Sequence, residues 1–160
     1  MSDERTTIGW REWVALPALG VAAIKAKVDT GARTSSLHAF DLEPFDKDGE
    51  RWVRFGVHPV QRRDDVEVLV EHPLHELREV RSSNGEVEER PVIVTSLVLG
   101  GFTHDIEVTL TNRDEMGFRM LLGREAMRDR YQIDPGSSFH TGLDDAARAV
   151  RRATPPRPRD

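Results

Sequence analysis

Apolar and polar residues alternate with a period of two along most of the chain, which is the pattern of half-buried β-strands. The clearest run covers residues 105–111, where Ile106, Val108 and Leu110 would face inward and Glu107, Thr109 and Thr111 outward. Similar runs predict strands at 8–16, 21–29, 35–42, 51–57, 66–70 and 92–99. Short strands at this spacing are typical of an all-β barrel.

Turn residues separate these runs. Lys47-Asp48-Gly49-Glu50 and Ser82-Ser83-Asn84-Gly85 predict two hairpins, because Asp-Gly and Asn-Gly accept the positive φ that tight hairpin turns need. We expect Glu43-Pro44 to end the strand that begins at Ser35. One helix is predicted from about Arg124 to Tyr131, then a last strand near Ile133. A second short helix is predicted at 144–154.

Composition fits one domain with two tails: a disordered stretch 1–7, a domain 8–143, and a mobile, basic, Pro-rich tail 144–160. The net charge is -5; the tail holds five arginines and three aspartates, so it carries +2 and the remainder -7. An acidic body argues against nucleic-acid binding. No apolar run is long enough for a membrane span, and there is no cysteine for disulfides or thiol chemistry. We therefore expect a cytoplasmic protein.

Asp29-Thr30-Gly31 directly follows an apolar run, which predicts a strand that ends in a tight turn with a carboxylate on it. Taken alone, this could be an ordinary surface turn. A second stretch strengthens the functional interpretation: Met120-Leu121-Leu122 is apolar, and Gly123-Arg124 then leads into the predicted helix.

These two motifs together resemble the retropepsin-like aspartic peptidases. The stretches at 9–17, 26–39, 110–113 and 121–125 are similar to one bacterial family, labelled "ATP-dependent zinc protease" and also known as RimB or RimK-associated proteins. The resemblance covers about residues 8 to 140. It implies an all-β, retropepsin-like closed barrel with one short C-terminal helix, in which the second motif runs behind the first and supports it.

The resemblance also implies roles for individual residues. Asp29 would be catalytic; because one chain supplies one such aspartate, the acid pair would form in a two-fold homodimer. The residues expected to support the catalytic turn are Thr30, Gly31, Ala32, Gly123 and Arg124, with Arg124 making buried ion pairs. The candidate substrate-binding residues are Arg33, Ser35, His38, Asn84 and Gly85. Asn84 and Gly85 would tip a mobile flap or, equally, an ordinary surface hairpin. Arg33 departs from the family pattern, because viral relatives carry an acid shortly after Asp-Thr-Gly-Ala; it could select acidic substrates or be a solvated surface arginine. His38 could equally be a structural histidine.

No cofactor is expected. His72-Pro73-Leu74-His75-Glu76 lacks the His-Glu-x-x-His order, and Pro73 would break the helix that such a motif requires. No phosphate-binding glycine motif is present, so the ATP of the family label belongs with associated ATP-grasp ligases. The expected activity is amide hydrolysis in peptides or glutamate-extended tails. The alternatives are a non-catalytic peptide-binding module beside an ATP-grasp ligase, or a zinc hydrolase.

Overall fold

The computed structural model describes residues 5–81, 84–112, 117–142 and 144–156. Its strands are β1 Thr6–Leu16, β2 Val21–Val28, β3 Ser35–Lys47, β4 Glu50–Val57, β5 Val68–Pro73, β6 Glu76–Arg81, β7 Val87–Leu99, β8 Phe102–Thr111, β9 Met120–Leu122 and β10 Tyr131–Ser138. The helices are α1 Arg124–Met127 and α2 Asp145–Ala153, and a 3-10 turn covers Pro17–Leu19.

Six strands close into a barrel in the order β1, β2, β9, β3, β8, β7 and back to β1. The closing contact between β1 and β7 is a single registered residue pair, Ala15 with Val98. Strand β10 adds to β1, β6 adds to β7, and β4 and β5 extend from β3. The all-β closed barrel predicted from the alternation is therefore confirmed.

The barrel interior is filled by the apolar face of each strand. Fully buried side chains include Ile24 on β2, Leu37 on β3, Ile93 on β7 and Leu110 on β8. This core fixes the register of β2 and β9, because a one-residue slip would turn their apolar side chains outward. The strand that carries Asp29 is thus held firmly on both sides.

Strand β3 is longer than predicted. Strand β3 does not stop at Glu43-Pro44 but continues to Lys47, after a bulge between Phe40 and Glu43 in its pairing with β4. Pro44 is tolerated there because this half of β3 pairs only with β4, so its missing N–H is not needed on the other side. The bulge shifts the alternation, which hid the continuation from a period-two pattern.

The predicted helix at 124–131 is a single turn, Arg124–Met127, and it ends where Asp129 takes a φ of 65°. Thr109 and Thr111 were expected to face outward to solvent, yet both are buried, so the outer face of β8 is covered at this end of the strand. The Lys47–Glu50 hairpin is confirmed, with positive φ at Asp48 and Gly49. Ser82 and Ser83, in the other predicted hairpin, lie outside the described residues.

The predicted C-terminal helix is present as α2. Asp144 caps it by accepting a hydrogen bond from the Ala147 N–H at 2.8 Å. Ala147 is buried in a small cluster with Trp13 and Ala23, outside the main core. No described helix has the length and apolar character that crossing a membrane requires. The division into 1–7, 8–143 and 144–160 stays a prediction.

Candidate active site

Asp29 stands at the end of β2, where its backbone is still part of the sheet. The Asp29 N–H donates to the Leu122 carbonyl at 2.8 Å, which continues the parallel pairing of β2 with β9. Strand β9 also pairs with the start of β3, so it lies between the strands that enter and leave the turn. The second motif runs beside the first, as the resemblance implied.

Two hydrogen bonds between residues close in sequence hold the turn. The Gly31 N–H donates to Asp29 Oδ1 at 3.0 Å, and the Ala32 N–H donates to the Asp29 carbonyl at 3.2 Å. The first bond fixes the rotation of the carboxylate. Asp29 is half-buried, while Thr30 and Gly31 are exposed. The arrangement presents an oriented carboxylate on a rigid turn at the molecular surface.

Gly123 permits a close approach between α1 and the residues that follow the turn. A Cβ at this position would lie 2.4 Å from the Thr34 carbonyl carbon and 2.5 Å from its oxygen. The Gly123 N–H donates to the buried Ser35 Oγ at 3.1 Å, and the N–H groups of Arg124 and Glu125 donate to the carbonyls of Ala32 and Arg33. The first turn of α1 therefore satisfies the backbone that leaves the Asp29 turn.

Arg124 braces the turn through backbone carbonyls. Its Nη1 donates to the Thr30 carbonyl at 3.0 Å and to the Gly31 carbonyl at 3.1 Å. The expected buried ion pair is absent among the described residues, because Arg124 is exposed and no described acid lies close enough to pair with it. The carbonyls do not titrate, so this brace is independent of pH over the range where carboxylates ionise.

Ser35 and His38, both candidate substrate-binding residues, are buried in the single chain. Ser35 Oγ is used by Gly123 as described, and the His38 ring stacks near His58, which in turn stacks on Phe40 at 4.2 Å between centroids. Burial of this degree fits the structural interpretation of His38. Substrate binding by Ser35 and His38 stays a prediction.

Arg33 is exposed and lines a surface cleft of about 280 Å³ whose other charged members are Asp105, Glu107 and Glu125. Three carboxylates around one guanidinium leave the cleft with an acidic balance. The expected preference of Arg33 for acidic substrates is weakened by this surrounding charge, because the nearby acids repel a substrate carboxylate.

Asn84 and Gly85 lie in the connection between β6 and β7, where Asn84 Oδ1 accepts a hydrogen bond from the Glu86 N–H. Ser35 of β3, near the Asp29 turn, pairs with Val108 of β8, and Val108 pairs with Ile93 of β7. From Ile93 toward its first residue, β7 runs along the barrel in the direction of this hairpin. The distance along β7 from Ile93 to Gly85 is roughly 25 Å for an extended strand. The assignment of Asn84 and Gly85 to a flap over the Asp29 turn stays a prediction.

Sequence reasoning missed a buried acid, Glu12, with a fully inaccessible side chain. Its carboxylate accepts hydrogen bonds from the N–H groups of Gly9, His140 and Thr141, and from the Thr141 hydroxyl at 2.7 Å. These bonds tie the C-terminal loop to β1. One signal was available: Glu12 shares the alternation phase of Val14 and Leu16, which places a charge on the inward face.

A second missed feature is a cleft of about 250 Å³ beside the Asp29 turn. Its lining includes Thr30 from the turn, Arg124, Met127 and Arg128 from the α1 region, and Arg5 from the N-terminal stretch. The i, i+4 spacing of Arg124 and Arg128 was visible in the sequence, but their position next to Thr30 depends on how α1 packs.

One group of described residues has the donor atoms of a metal site: His75, Glu76 and Glu107, whose ligand atoms lie within 4.8 Å of one another. All three side chains are exposed to solvent. Arg78 contacts both carboxylates, Glu76 closely and Glu107 at 3.2 Å. A guanidinium that already neutralises both acids competes with a cation, so the group does not fit a resident zinc and no chemical step is assigned to it.

Comparison with known proteins agrees with the geometry. Residues 7–142 match the RimB-like family, described as retropepsin-like aspartic endopeptidase RimB. A protein of unknown function from Legionella pneumophila, Lpg0085, has a similar crystal structure: TM-score 0.71 and 29% identity, covering 86% of this chain and 99% of that one.

Two curated relatives carry the name "Probable alpha-L-glutamate ligase". One is from Shewanella halifaxensis, 52% identical over 142 residues, and one from Parasynechococcus marenigrum, 53% identical over 135 residues. The matches cover 89% and 84% of this chain, and 31% and 29% of the relatives. This chain therefore corresponds to less than a third of each longer protein. Since the family match spans most of the barrel and both motifs around Asp29, the chain belongs to the RimB-like family of retropepsin-like aspartic endopeptidases.

Proposed function

We propose that this protein is an aspartic peptidase that hydrolyses amide bonds in peptides or glutamate-extended tails. The observation that carries the proposal is the Asp29 carboxylate, oriented by the Gly31 N–H on a turn that Arg124 and β9 support. A fixed, half-exposed acid of this kind is suited to proton transfer to and from a bound water.

The chemistry requires two such acids. One carboxylate takes a proton from the attacking water, while the other, protonated, donates a hydrogen bond to the scissile carbonyl. Two carboxyl groups this close share one proton, because both cannot ionise together. In our proposal the second acid is Asp29 of another copy of this chain, related by a two-fold axis.

The substrate class follows from the relatives' name. A glutamate ligase joins glutamate through an amide bond, and hydrolysis of that bond is the reverse change. A peptidase and a ligase that share such peptides would set the length of the glutamate extension. Acidic, extended peptides are therefore the first substrates to test.

The decisive variant is Asp29→Asn, which keeps the size of the side chain and removes the base. Hydrolysis of a peptide that ends in several glutamates, followed by mass spectrometry, should fall by at least about two orders of magnitude. Asp134→Asn is a matched control, because Asp134 Oδ1 accepts the same type of bond from the Gly136 N–H at 3.0 Å. Wild-type turnover in Asp29→Asn would contradict the proposal.

A second candidate function is an accessory module that binds the peptide for a ligase without cleaving it. The size of the relatives supports it, since this domain matches only part of a longer protein named as a ligase. In that case Asp29→Asn should leave the effect of this chain on an ATP-grasp glutamate ligase unchanged. Loss of the effect together with loss of hydrolysis would reject the accessory role.

A further inference from the structure

The outer face of β2 carries a row of alternating residues that ends at Asp29. Ala23 packs outside the barrel with Trp13, whereas Ile24 and Ala26 belong to the barrel core. Since successive side chains of a strand point to opposite faces, Lys25 and Lys27 lie on the outer face with Ala23. The Asp29 N–H continues the pairing of this strand, so Asp29 follows in the same phase.

Strand β1 adds a third cation. Arg11 pairs with Lys27 across the two strands, and Trp13 pairs with Lys25. The Arg11 guanidinium lies 4.6 Å from the Trp10 ring and 4.9 Å from the Phe139 ring, and its Nε donates to Ser138 Oγ. The Lys25 ammonium lies 5.3 Å from the Trp13 ring. The aromatic rings hold two of the charges in place.

Helix α2 extends this cationic surface beyond Ala23. Ala147 anchors the helix on Ala23 and Trp13, and exposed arginines line a cleft of about 270 Å³: Arg148, Arg151 and Arg152. Arg148 has an acidic neighbour, Asp145, at 3.3 Å. Among the described residues Arg151 and Arg152 have no carboxylate within ion-pair distance. The family match ends at residue 142, so it does not account for this helix.

The far end of α2 is fixed to the connection between β4 and β5 by two further arginines. Arg62 Nη2 donates to the Pro155 carbonyl at 2.8 Å, and Arg63 Nη1 donates to the Ala153 carbonyl at 3.3 Å. Together with the buried Ala147, these bonds hold the helix in a defined position. Its arginines therefore have a fixed place relative to Lys25 and Lys27.

We infer that this surface is a binding track for an extended acidic peptide, with Lys27, Lys25 and Arg11 nearest Asp29 and the α2 arginines at its far end. The inference rests on the proposed hydrolysis and deepens it, since it assigns the residues that recognise a glutamate tail. We call Arg11, Lys25, Lys27, Arg148, Arg151 and Arg152 the basic track.

The length of the basic track sets the length of the peptide. Ala23 precedes Asp29 by six residues, which is roughly 20 Å along an extended strand. An extended peptide needs about six residues to cover that distance. Tails of three glutamates would reach Lys27 and Lys25 only, whereas tails of ten would also contact α2.

An acidic peptide fits better than single-stranded nucleic acid, the other polyanion to consider. Nucleic-acid-binding grooves leave aromatic faces open for bases to stack on. Here Trp13 is buried and stacks on Phe139, and Arg11 and Lys25 lie over the rings. Trp10 likewise contacts Phe118 edge-on and has Arg11 over its ring. The rings beside these cations are therefore already engaged with one another or with a cation, which favours carboxylates as the ligand groups.

The test measures binding in an Asp29→Asn background, so that no probe is cleaved. Fluorescein-labelled peptides with ten or three C-terminal glutamates, a ten-glutamine peptide and a ten-uridine RNA are titrated by fluorescence anisotropy at low ionic strength. Arg151→Gln with Arg152→Gln should weaken binding of the ten-glutamate peptide roughly three- to tenfold, as expected for two exposed charge pairs. Binding of the three-glutamate peptide should not change.

Lys27→Gln should weaken both glutamate peptides. The control is Arg51→Gln with Arg81→Gln, which removes the same charge from exposed positions on β4 and β6 and should leave both affinities unchanged. Equal weakening by the control, or equal binding of the glutamine peptide, overturns the inference. Tighter binding of the RNA that depends on the same arginines overturns the acidic-peptide assignment.

The outcomes also separate this inference from the proposed hydrolysis. If the basic-track variants lose affinity but the wild-type chain cleaves no glutamate peptide, the track stands and the hydrolysis fails. If the wild-type chain cleaves these peptides while the variants keep affinity and KM, the hydrolysis stands and the track fails.

Discussion

Asp29 and Asp134 show what a single residue can and cannot contribute. Each carboxylate accepts a hydrogen bond of 3.0 Å from the glycine N–H two residues later. The same local hydrogen bond therefore forms at both positions. Both backbones are also paired, Asp29 with Leu122 of β9 and Asp134 with Gly9 of β1, but Asp29 ends its strand at a turn whose carbonyls accept from an arginine. The tertiary surroundings, and not the local hydrogen bond, distinguish the proposed catalytic acid.

Gly123→Ala is the residue-scale prediction. The new methyl group would meet the Thr34 backbone at 2.4 and 2.5 Å, and backbone atoms cannot rotate away as a flexible side chain can. We expect the free energy of unfolding, measured in urea, to fall by about 1–3 kcal/mol. Gly117→Ala is the control, because a Cβ there meets nothing within 4 Å. Equal stability of the two variants would contradict this account.

Residue-level sequence reasoning located Asp29 and Gly123 because their motifs are contiguous and depend on local backbone geometry. It placed Arg124 beside the turn but expected an ion pair, and it overlooked Glu12. Both failures have one cause. Whether a charged side chain meets an acid, a carbonyl or a cluster of N–H groups depends on chain segments far away in sequence, here Thr30 for Arg124 and Thr141 for Glu12.

At the scale of elements, a small polar cluster joins three strands. The Tyr131 hydroxyl of β10 donates to the Leu99 carbonyl of β7 at 3.0 Å, and His104 Nε2 of β8 lies 3.2 Å from the same hydroxyl. Burial lowers the pKa of His104, and the Arg130 charge lowers it further. Burial likewise raises the pKa of Tyr131. The neutral imidazole is therefore the form that the folded protein prefers.

This preference predicts how stability depends on pH. Below the ordinary histidine pKa of 6.5, His104 is protonated in the unfolded chain, whereas in the folded chain it takes up a proton only at lower pH. The free energy of unfolding should therefore decrease as the pH is lowered through this window. Urea unfolding between pH 5 and 7.5 measures the slope. His104→Gln should reduce the slope and His72→Gln should not; an unchanged slope in His104→Gln would contradict the assignment.

Most strands were predictable because alternation of apolar and polar residues is a local signal. The failures occurred where pairing overrides it. A bulge carries β3 past Pro44, and the outer threonines of β8 are buried although they lie opposite its core-facing side chains. The helix at α1 is shorter than its residues favour, since Tyr131 begins β10 and the chain must turn at Asp129 first.

At the scale of the whole molecule, the proposed chemistry predicts a dimer. One chain supplies one Asp29, and a two-fold axis is the simplest way to bring two together. Sedimentation equilibrium at micromolar concentration should give twice the chain mass of 18.1 kDa. Asp29→Asn should not weaken association, because it removes repulsion between two acids. A strict monomer, with and without a glutamate peptide, would reject the paired-acid mechanism.

The order of strands around the barrel could not be derived from the pattern alone. Strand β9 has only three residues, yet it separates β2 from β3 and creates the support for Asp29. Short strands carry little periodic signal, so its position depended on the resemblance. The place of the β6–β7 hairpin likewise depended on register between distant strands.

The closure of the barrel at Ala15 and Val98 has a consequence for local opening. The other neighbouring barrel strands share at least two registered pairs, and β7 with β8 share eight, whereas β1 and β7 share one. Fewer backbone hydrogen bonds must break to separate the barrel there than at those other joints. The amides around Ala15 and Val98 therefore form the boundary at which the cylinder can most readily unroll into a sheet.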